Sequence, residues 1–169
     1  MAFEQFEHGN LWRFQRRLAD IAIGASVLRG HFTGALDTAR DYVRPKDFSS
    51  GPSLNLRALA AARDEKSFLE QLDRNTESLQ QLLVLSRGPV APSSPPLWGS
   101  ARKVLNVFLC EAYFNRVLHQ SCPLQNVGPW LEVPLDKIIS DFLTGEARRT
   151  GRPDVRFSGV SRLDSQTNR

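Results

Sequence analysis

Apolar residues recur along most of this chain at the three- and four-residue spacing of an amphipathic α-helix. One stripe runs over residues 11–28, and a shorter helix is expected to end before Pro45. A long stripe follows, and Gly88 is placed to end it. This stripe consists of Phe68, Leu69, Leu72, Leu79, Leu82 and Leu83. No stretch alternates between apolar and polar residues for long enough to indicate a sheet, so the pattern predicts an all-α protein.

The helical pattern is interrupted once by a proline-rich stretch, GPVAPSSPP, which has four prolines in nine residues. Proline in a helix interior removes a hydrogen-bond donor and clashes with the preceding turn, so this stretch is predicted to be a stiff connector. We therefore expect a two-lobed helical domain with a cleft between its lobes. The predicted parts are an N-terminal lobe at 1–88, a connector at 89–97 and a C-terminal lobe at 98–169.

Two helix starts in the C-terminal lobe carry charged residues. The helix WGSARKVLNVFLCEAYFNRVLHQ is apolar around most of its circumference, with Ser100 predicted as its N-cap and Lys103 in its first turn. A cation in a first turn opposes the helix dipole, which favours a functional reason for Lys103. The later helix DKIISDFL starts at Asp136, which taken alone is typical of an N-cap, and is expected to end near Gly145.

The segments WGSARKVLNVFL and LEVPLDKII together resemble the helix-hairpin-helix DNA glycosylase superfamily. Lys103 and Asp136 are 33 positions apart, which is similar to the archaeal oxoguanine glycosylase branch and to small bacterial relatives. Some of those relatives are anti-phage enzymes that remove glucosylated hydroxymethylcytosine. The chain differs from the common family pattern in having a single hairpin glycine, Gly99, and in having Leu135 and Lys137 beside the aspartate.

Over roughly residues 97–145, the resemblance implies catalytic roles for two side chains. Cleavage of an N-glycosidic bond builds positive charge on the sugar, which the carboxylate of Asp136 would stabilise. An unprotonated Lys103 amine would attack the anomeric carbon and form an imine that permits strand cleavage; a protonated one would position phosphate or water. The target base must also be extruded into a pocket. The aromatic candidates to line that pocket are Trp98, Tyr113 and Trp130.

The charge distribution favours an anionic partner. The formal net charge is +4, from 22 Lys and Arg against 18 Asp and Glu, and arginines are concentrated near the C-terminus in a segment predicted to be loop-like. Arg148, Arg149 and Arg152 would neutralise backbone phosphates, and Gly99 and Arg102 would contact DNA beside Lys103. The predicted partner is DNA carrying a modified base, with no membrane partner and no obligatory protein partner.

Several other kinds of site lack support in the sequence. His8, His31 and His119 are scattered and have no cysteine at metal-ligand spacing, so neither a metal nor a cofactor is expected. Cys110 and Cys122 are predicted to be reduced thiols. No segment reaches the roughly 18 apolar residues of a membrane helix. The N-terminus lacks the apolar core of a signal peptide, so a cytoplasmic protein is expected.

Three functions are compatible with these observations. The first is a DNA glycosylase acting on a hypermodified cytosine or, alternatively, on oxidised guanine. The second is a non-catalytic helix-hairpin-helix module that holds DNA, and the third is an all-α interaction protein whose motif match is accidental. An open pocket at Asp136 would favour the first over the second, whereas a Lys103 side chain in bulk solvent would favour the third.

Overall fold

The computed structural model describes residues 16–24, 28, 34–44, 52–88, 97–116, 118, 122–132 and 137–151. Within these ranges the regular structure is helical and contains no strand, which confirms the all-α class. Asp136 and Arg152 lie outside the described residues. None of the helices in the described ranges is both long enough and apolar enough to span a lipid bilayer.

Six α-helical stretches of the described residues are numbered here. Residues 116 and 118 are also helical, and two short 3-10 turns follow them. The helices are α1 over residues 16–24, α2 (Ala35–Val43), α3 (Leu56–Ala60), α4 (Glu65–Arg87), α5 (Trp98–Phe114) and α6 (Lys137–Arg149). The 3-10 turns are Leu124–Asn126 and Gly128–Trp130.

Local signals account for both ends of α4. The Asp64 side chain accepts a hydrogen bond from the Ser67 backbone N–H at 2.7 Å, and the Ser67 hydroxyl accepts one from the Asp64 N–H at 3.3 Å. This capping box satisfies two N–H groups that a helix start leaves without partners. The hydrogen bond from the Ser67 backbone N–H also holds the pKa of the Asp64 carboxyl below its usual value. Gly88 ends the helix as predicted, with a φ of 71° that favours glycine.

The buried apolar side chains form one core that extends across the proline-rich stretch. In α4 the predicted stripe supplies Phe68, Leu72, Leu79 and Leu83, all fully buried. Helix α5 packs against both α4 and α2, and its residues 98–106 are all buried. Helix α5 is therefore central, as its apolar circumference predicts. The core on both sides of the predicted boundary at 89–97 is continuous.

Two predicted helix boundaries are wrong. Helix α5 begins at Trp98 with Leu97 as its N-cap residue, so Ser100 lies inside the helix and does not cap it. Helix α6 does not end near Gly145, because it continues to Arg149. A glycine in a helix interior costs only about 1 kcal/mol, and the Glu146–Arg149 ion pair one turn apart supports the extension.

Candidate functional site

Arg102 is buried and lies at the centre of a group of buried and partly buried polar side chains between α4, α5 and the end of the 3-10 segment. Its Nε and Nη2 atoms donate to the two carboxylate oxygens of Glu132 at 2.8 and 2.7 Å. Its Nη1 atom donates to Asp73 at 2.8 Å and to the Thr76 hydroxyl at 3.1 Å. Asn106 adds a hydrogen bond from Nδ2 to Glu132 at 2.8 Å. We call these five residues the Arg102 network.

The helices place the members of the network within reach of one another. Asp73 and Thr76 are three residues apart on α4, and Arg102 and Asn106 are four residues apart on α5, so each pair lies on one helix face. The planar guanidinium matches the two oxygens of Glu132, which makes this a bidentate ion pair. The guanidinium carbon also lies 5.4 Å from the centre of the Trp98 ring, one turn earlier on α5, within range of a cation–π interaction.

This geometry corrects the expectation that Arg102 contacts DNA. Its side chain is only 4% exposed, and its guanidinium already binds two carboxylates, so it has no surface to offer to a phosphate. Gly99, which was expected beside it at the DNA, is also buried, in the first turn of α5.

Lys103 is also buried, with 8% exposure, and lies in the second turn of α5 rather than the first. Among the residues that the structure describes, none forms a hydrogen bond or an ion pair with its amine. Arg102, the preceding residue, is a second buried cation. Lysine is rarely this buried, because transferring its charge out of water is costly, so the burial of Lys103 is unusual for its residue type.

Three polar atoms on the first half of α5 are buried and have no hydrogen-bond partner among the residues that the structure describes. They are Trp98 Nε1, Ser100 Oγ and Asn106 Oδ1. Each such atom costs about 1–3 kcal/mol of folding free energy, so this stretch of helix is not optimised for stability. Buried polar groups that lack partners are expected mainly at functional sites, where stability is sacrificed. Residues 98–106 are therefore the candidate site.

The three predicted pocket aromatics each pack against a different neighbour. Trp98 is the first residue of α5 and 3% exposed, and its ring lies against the Arg102 guanidinium. Trp130 is half-buried, with its ring 6.2 Å from that of Phe68. Tyr113 is half-buried and lies against Gly128, where an added Cβ would approach the Tyr113 ring to 2.6 Å.

The predicted phosphate contacts on α6 are exposed. Arg148 and Arg149 lie in the last turn of the helix rather than in a loop. Arg149 forms an ion pair with Glu146 at 2.7 Å, which holds its guanidinium against the helix surface and raises its pKa. Arg148 and Arg149 therefore stay candidates for a phosphate surface.

The sequence interpretation missed Glu132 and its partners. A signal was present, because Arg102, Asn106 and Cys110 recur every four residues on a helix that is otherwise mostly apolar. The Cys110 thiol lies 3.7 Å from the backbone oxygen of Glu132 as a weak hydrogen-bond donor. Cys110 and Cys122 are both free thiols, as predicted, and burial raises the pKa of each, which keeps them protonated.

In the part of the chain that the structure describes, no group of three or more His, Cys, Asp or Glu residues could hold a metal ion. The three histidines lie outside that part. Comparisons with protein-family models, with curated proteins and with solved structures find no match to this chain.

The Arg102 network makes a prediction about stability. Replacing Arg102 with Met leaves the carboxylates of Asp73 and Glu132, which are 36% and 26% exposed, without their cation. Removing one partner of a buried ion pair typically costs about 3–5 kcal/mol of folding free energy. Because both acids are partly exposed, we expect a loss of about 3 kcal/mol, at the lower end of that range. The midpoint and slope of urea unfolding measure this loss.

Arg40→Met is the matched control. Arg40 also pairs with two carboxylates, Asp20 and Asp37, but its side chain is 32% exposed. Surface ion pairs contribute roughly 0–1 kcal/mol, so this variant should unfold close to the wild-type midpoint. Equal losses in the two variants would contradict a special contribution from the buried network.

Proposed function

We propose that this protein is a DNA glycosylase that cleaves the N-glycosidic bond of a modified base, with a hypermodified (glucosylated hydroxymethyl) cytosine as its preferred substrate. The proposal includes a two-lobed helical domain of the helix-hairpin-helix type with a cleft between its lobes. The protein would act in the cytoplasm on DNA without an obligatory protein partner. The resemblance of the segments around Lys103 and Asp136 suggests this reaction.

The observation that carries the proposal is the burial of Lys103. An accidental motif match would place this lysine in bulk solvent, as for most lysines on protein surfaces. Its 8% exposure argues against that interpretation. The same half of α5 holds three buried polar atoms that have no hydrogen-bond partner within the described ranges. A lysine held at the edge of the core is suited to meet an extruded nucleotide, because the chemistry requires an amine inside a pocket.

The Arg102 network supports the second catalytic assignment. Asp136 lies outside the described residues, but Glu132 precedes it by four residues and is bound to Arg102, the neighbour of Lys103. Four residues of extended chain span at most about 14 Å. The proposal requires Asp136 to lie near Lys103, and this length of chain after Glu132 permits that arrangement.

The roles of the two residues follow from the chemistry of the bond. As the base departs, positive charge develops on the sugar, and a fixed Asp136 carboxylate would stabilise this charge or orient water. The unprotonated Lys103 amine would attack the anomeric carbon, displace the base and form an imine with the opened sugar. If the amine stays protonated, Lys103 would bind phosphate or water and the enzyme would release the base without cutting the strand.

Base release from defined DNAs tests the proposal. The full chain is incubated with DNA carrying glucosylated hydroxymethylcytosine, oxidised guanine or only unmodified bases, and free bases and abasic sites are quantified. We expect release from the glucosylated DNA alone. Release of oxidised guanine instead would overturn the proposed substrate while keeping the reaction. DNA binding without any release would overturn the enzyme in favour of a binding module.

The exposed arginines of α6 predict a salt-dependent affinity. Neutralising Arg148, Arg149 and Arg152 together with Gln should weaken DNA binding and flatten its dependence on salt. Each lost phosphate contact lowers the slope of log K against log salt by about 0.9, so three contacts correspond to about 2.7. Fluorescence anisotropy titrations at several salt concentrations measure this slope.

A charge-matched variant controls for the loss of three cations. Three exposed cations lie outside the predicted DNA surface: Arg63 just before α4, and Lys66 and Arg74 in the first half of α4. Replacing these three with Gln changes the net charge by the same amount and should leave the slope nearly unchanged. Equal flattening in both variants would show that net charge, and not α6, sets the dependence.

A further inference from the structure

Residues 141–149 of helix α6 add no side chain to the buried core of the described chain. These residues are all exposed or half-buried, and α6 is not among the described elements that pack closely against one another. Phe142 is nevertheless a large apolar side chain, and it is 64% exposed. A single exposed ring is common on protein surfaces, so the residues around it decide whether it marks a binding site.

Phe142 begins a row of three exposed residues on one face of α6. Gly145 follows it by three residues and Arg149 follows Gly145 by four, so the row runs over about 10 Å of helix axis. The Arg149 side chain is 72% exposed. A Cβ added at Gly145 would meet no atom within 4 Å, so no described neighbour requires glycine there. Glycine also weakens a helix interior relative to alanine, so helix stability does not account for it. We call these three residues the α6 row.

The α6 row presents a flat apolar ring and a cation on either side of a gap. Because the glycine has no side chain, a planar group can lie against the helix between the ring and the guanidinium. Proteins that bind single strands combine these features, since they stack bases on aromatic rings and place cations at the phosphates. A second cation, Arg148, precedes Arg149 in the last turn.

The two acids near the α6 row leave this face open to an anionic strand. Glu146 pairs with Arg149, and the guanidinium side chain stays largely exposed in that pair. Asp141 lies about 100° around the helix from Phe142, to one side of the row. The row therefore has the chemistry to bind a nucleobase together with a phosphate next to it.

We propose that the α6 row is a stacking site for an unpaired base of the DNA strand. The ring of Phe142 stacks on the base, Gly145 leaves room for it against the helix, and Arg149 binds a neighbouring phosphate. This inference rests on the proposed function, whose chemistry takes a nucleotide out of the duplex stack. It names a further DNA contact, which does not touch the bond that is cleaved.

Phe142→Ala tests the stacking contact. Fluorescence anisotropy with a labelled oligothymidine single strand measures affinity at several salt concentrations. We expect affinity to fall by about tenfold at every salt concentration, because a stacked base is lost. The slope of log K against log salt should not change, because the ring carries no charge and releases no counterion.

Two further variants control for the loss of the ring. Phe142→Tyr keeps an aromatic face and should retain wild-type affinity. Leu85→Ala removes an apolar side chain that is 77% exposed on α4, away from the row, and should also bind as the wild type does. Loss of affinity in Leu85→Ala equal to that in Phe142→Ala would overturn a specific role for the ring.

Gly145→Ala separates a binding role from a structural one. Alanine strengthens a helix interior, so the midpoint of urea unfolding should rise or stay unchanged. The added methyl group fills the gap in the row, so affinity for the single strand should fall by about fivefold or more. A raised midpoint with wild-type affinity would overturn the proposed gap and with it the stacking site.

Base release by the wild-type protein distinguishes this inference from the proposed function. Wild-type affinity in Phe142→Ala would overturn the stacking site, while base release from modified DNA would still support the glycosylase. Weaker binding in both Phe142→Ala and Gly145→Ala, in a protein that releases no base, would retain the site and overturn the glycosylase. A wild-type dimer that dissociates in Phe142→Ala with unchanged DNA affinity would assign this face to self-association and overturn the inference.

Discussion

Purified Asp136→Asn protein is expected to release no measurable base from modified DNA while folding and binding that DNA as the wild type does. The substitution removes the negative charge that would stabilise the developing sugar cation, and losing such a group typically costs at least 100- to 1,000-fold in rate. Asn is about as good an N-cap as Asp, so stability should change by less than about 1 kcal/mol. Single-turnover base release, quantified by mass spectrometry, measures the effect.

Asp141→Asn is the matched control, because it makes the same substitution at an exposed position within α6. It should keep full activity. Unimpaired base release by Asp136→Asn would remove Asp136 from the catalytic role. A loss of activity accompanied by a lower unfolding midpoint would instead assign Asp136 to capping the helix.

The second large effect concerns Lys103. If the enzyme cuts the strand, borohydride should trap a covalent complex between the wild-type protein and modified DNA, because an imine is reducible to a stable amine. Lys103→Met should give no trapped complex, since its thioether cannot form an imine. Met approximately fills the space of the buried lysine stem, so a large cavity is avoided. Denaturing gel electrophoresis detects the complex as a shifted band.

Lys137→Met provides the comparison, because Lys137 is the other lysine within the two motifs and follows Asp136 directly. The trapped complex should persist in this variant. A complex that survives Lys103→Met would place the nucleophile elsewhere. Base release without any trapped complex in the wild type would make the enzyme monofunctional and leave Lys103 to bind phosphate or water.

Where the determining forces are local, the sequence pattern predicted the structure correctly. The all-α class and the stripe on α4 follow from helical periodicity, and Gly88 ends α4 because glycine tolerates a positive φ. The central position of α5 follows from its nearly continuous apolar circumference. Two helix boundaries were predicted incorrectly. Ser100 resembles a cap but lies inside α5, and Gly145 resembles a stop but lies inside α6, because cap preferences of about 1 kcal/mol yield to packing and neighbouring contacts.

The sequence by itself determined the all-α class and the presence of helix α5, since helical periodicity acts over a few residues. Lys103 lies one turn further into α5 than the sequence predicted. Only the tertiary structure decided which charges are buried and with what partners. Arg102 meets Asp73 and Glu132 across 29 and 30 positions of sequence, and no local pattern encodes such pairings. The same packing of α5 against α4 converted Arg102 from an expected DNA contact into the buried centre of a network, and Lys103 is buried on the same helix. Helix packing sets these environments, because the exposure of a side chain depends on contacts with residues that are distant from it in the sequence.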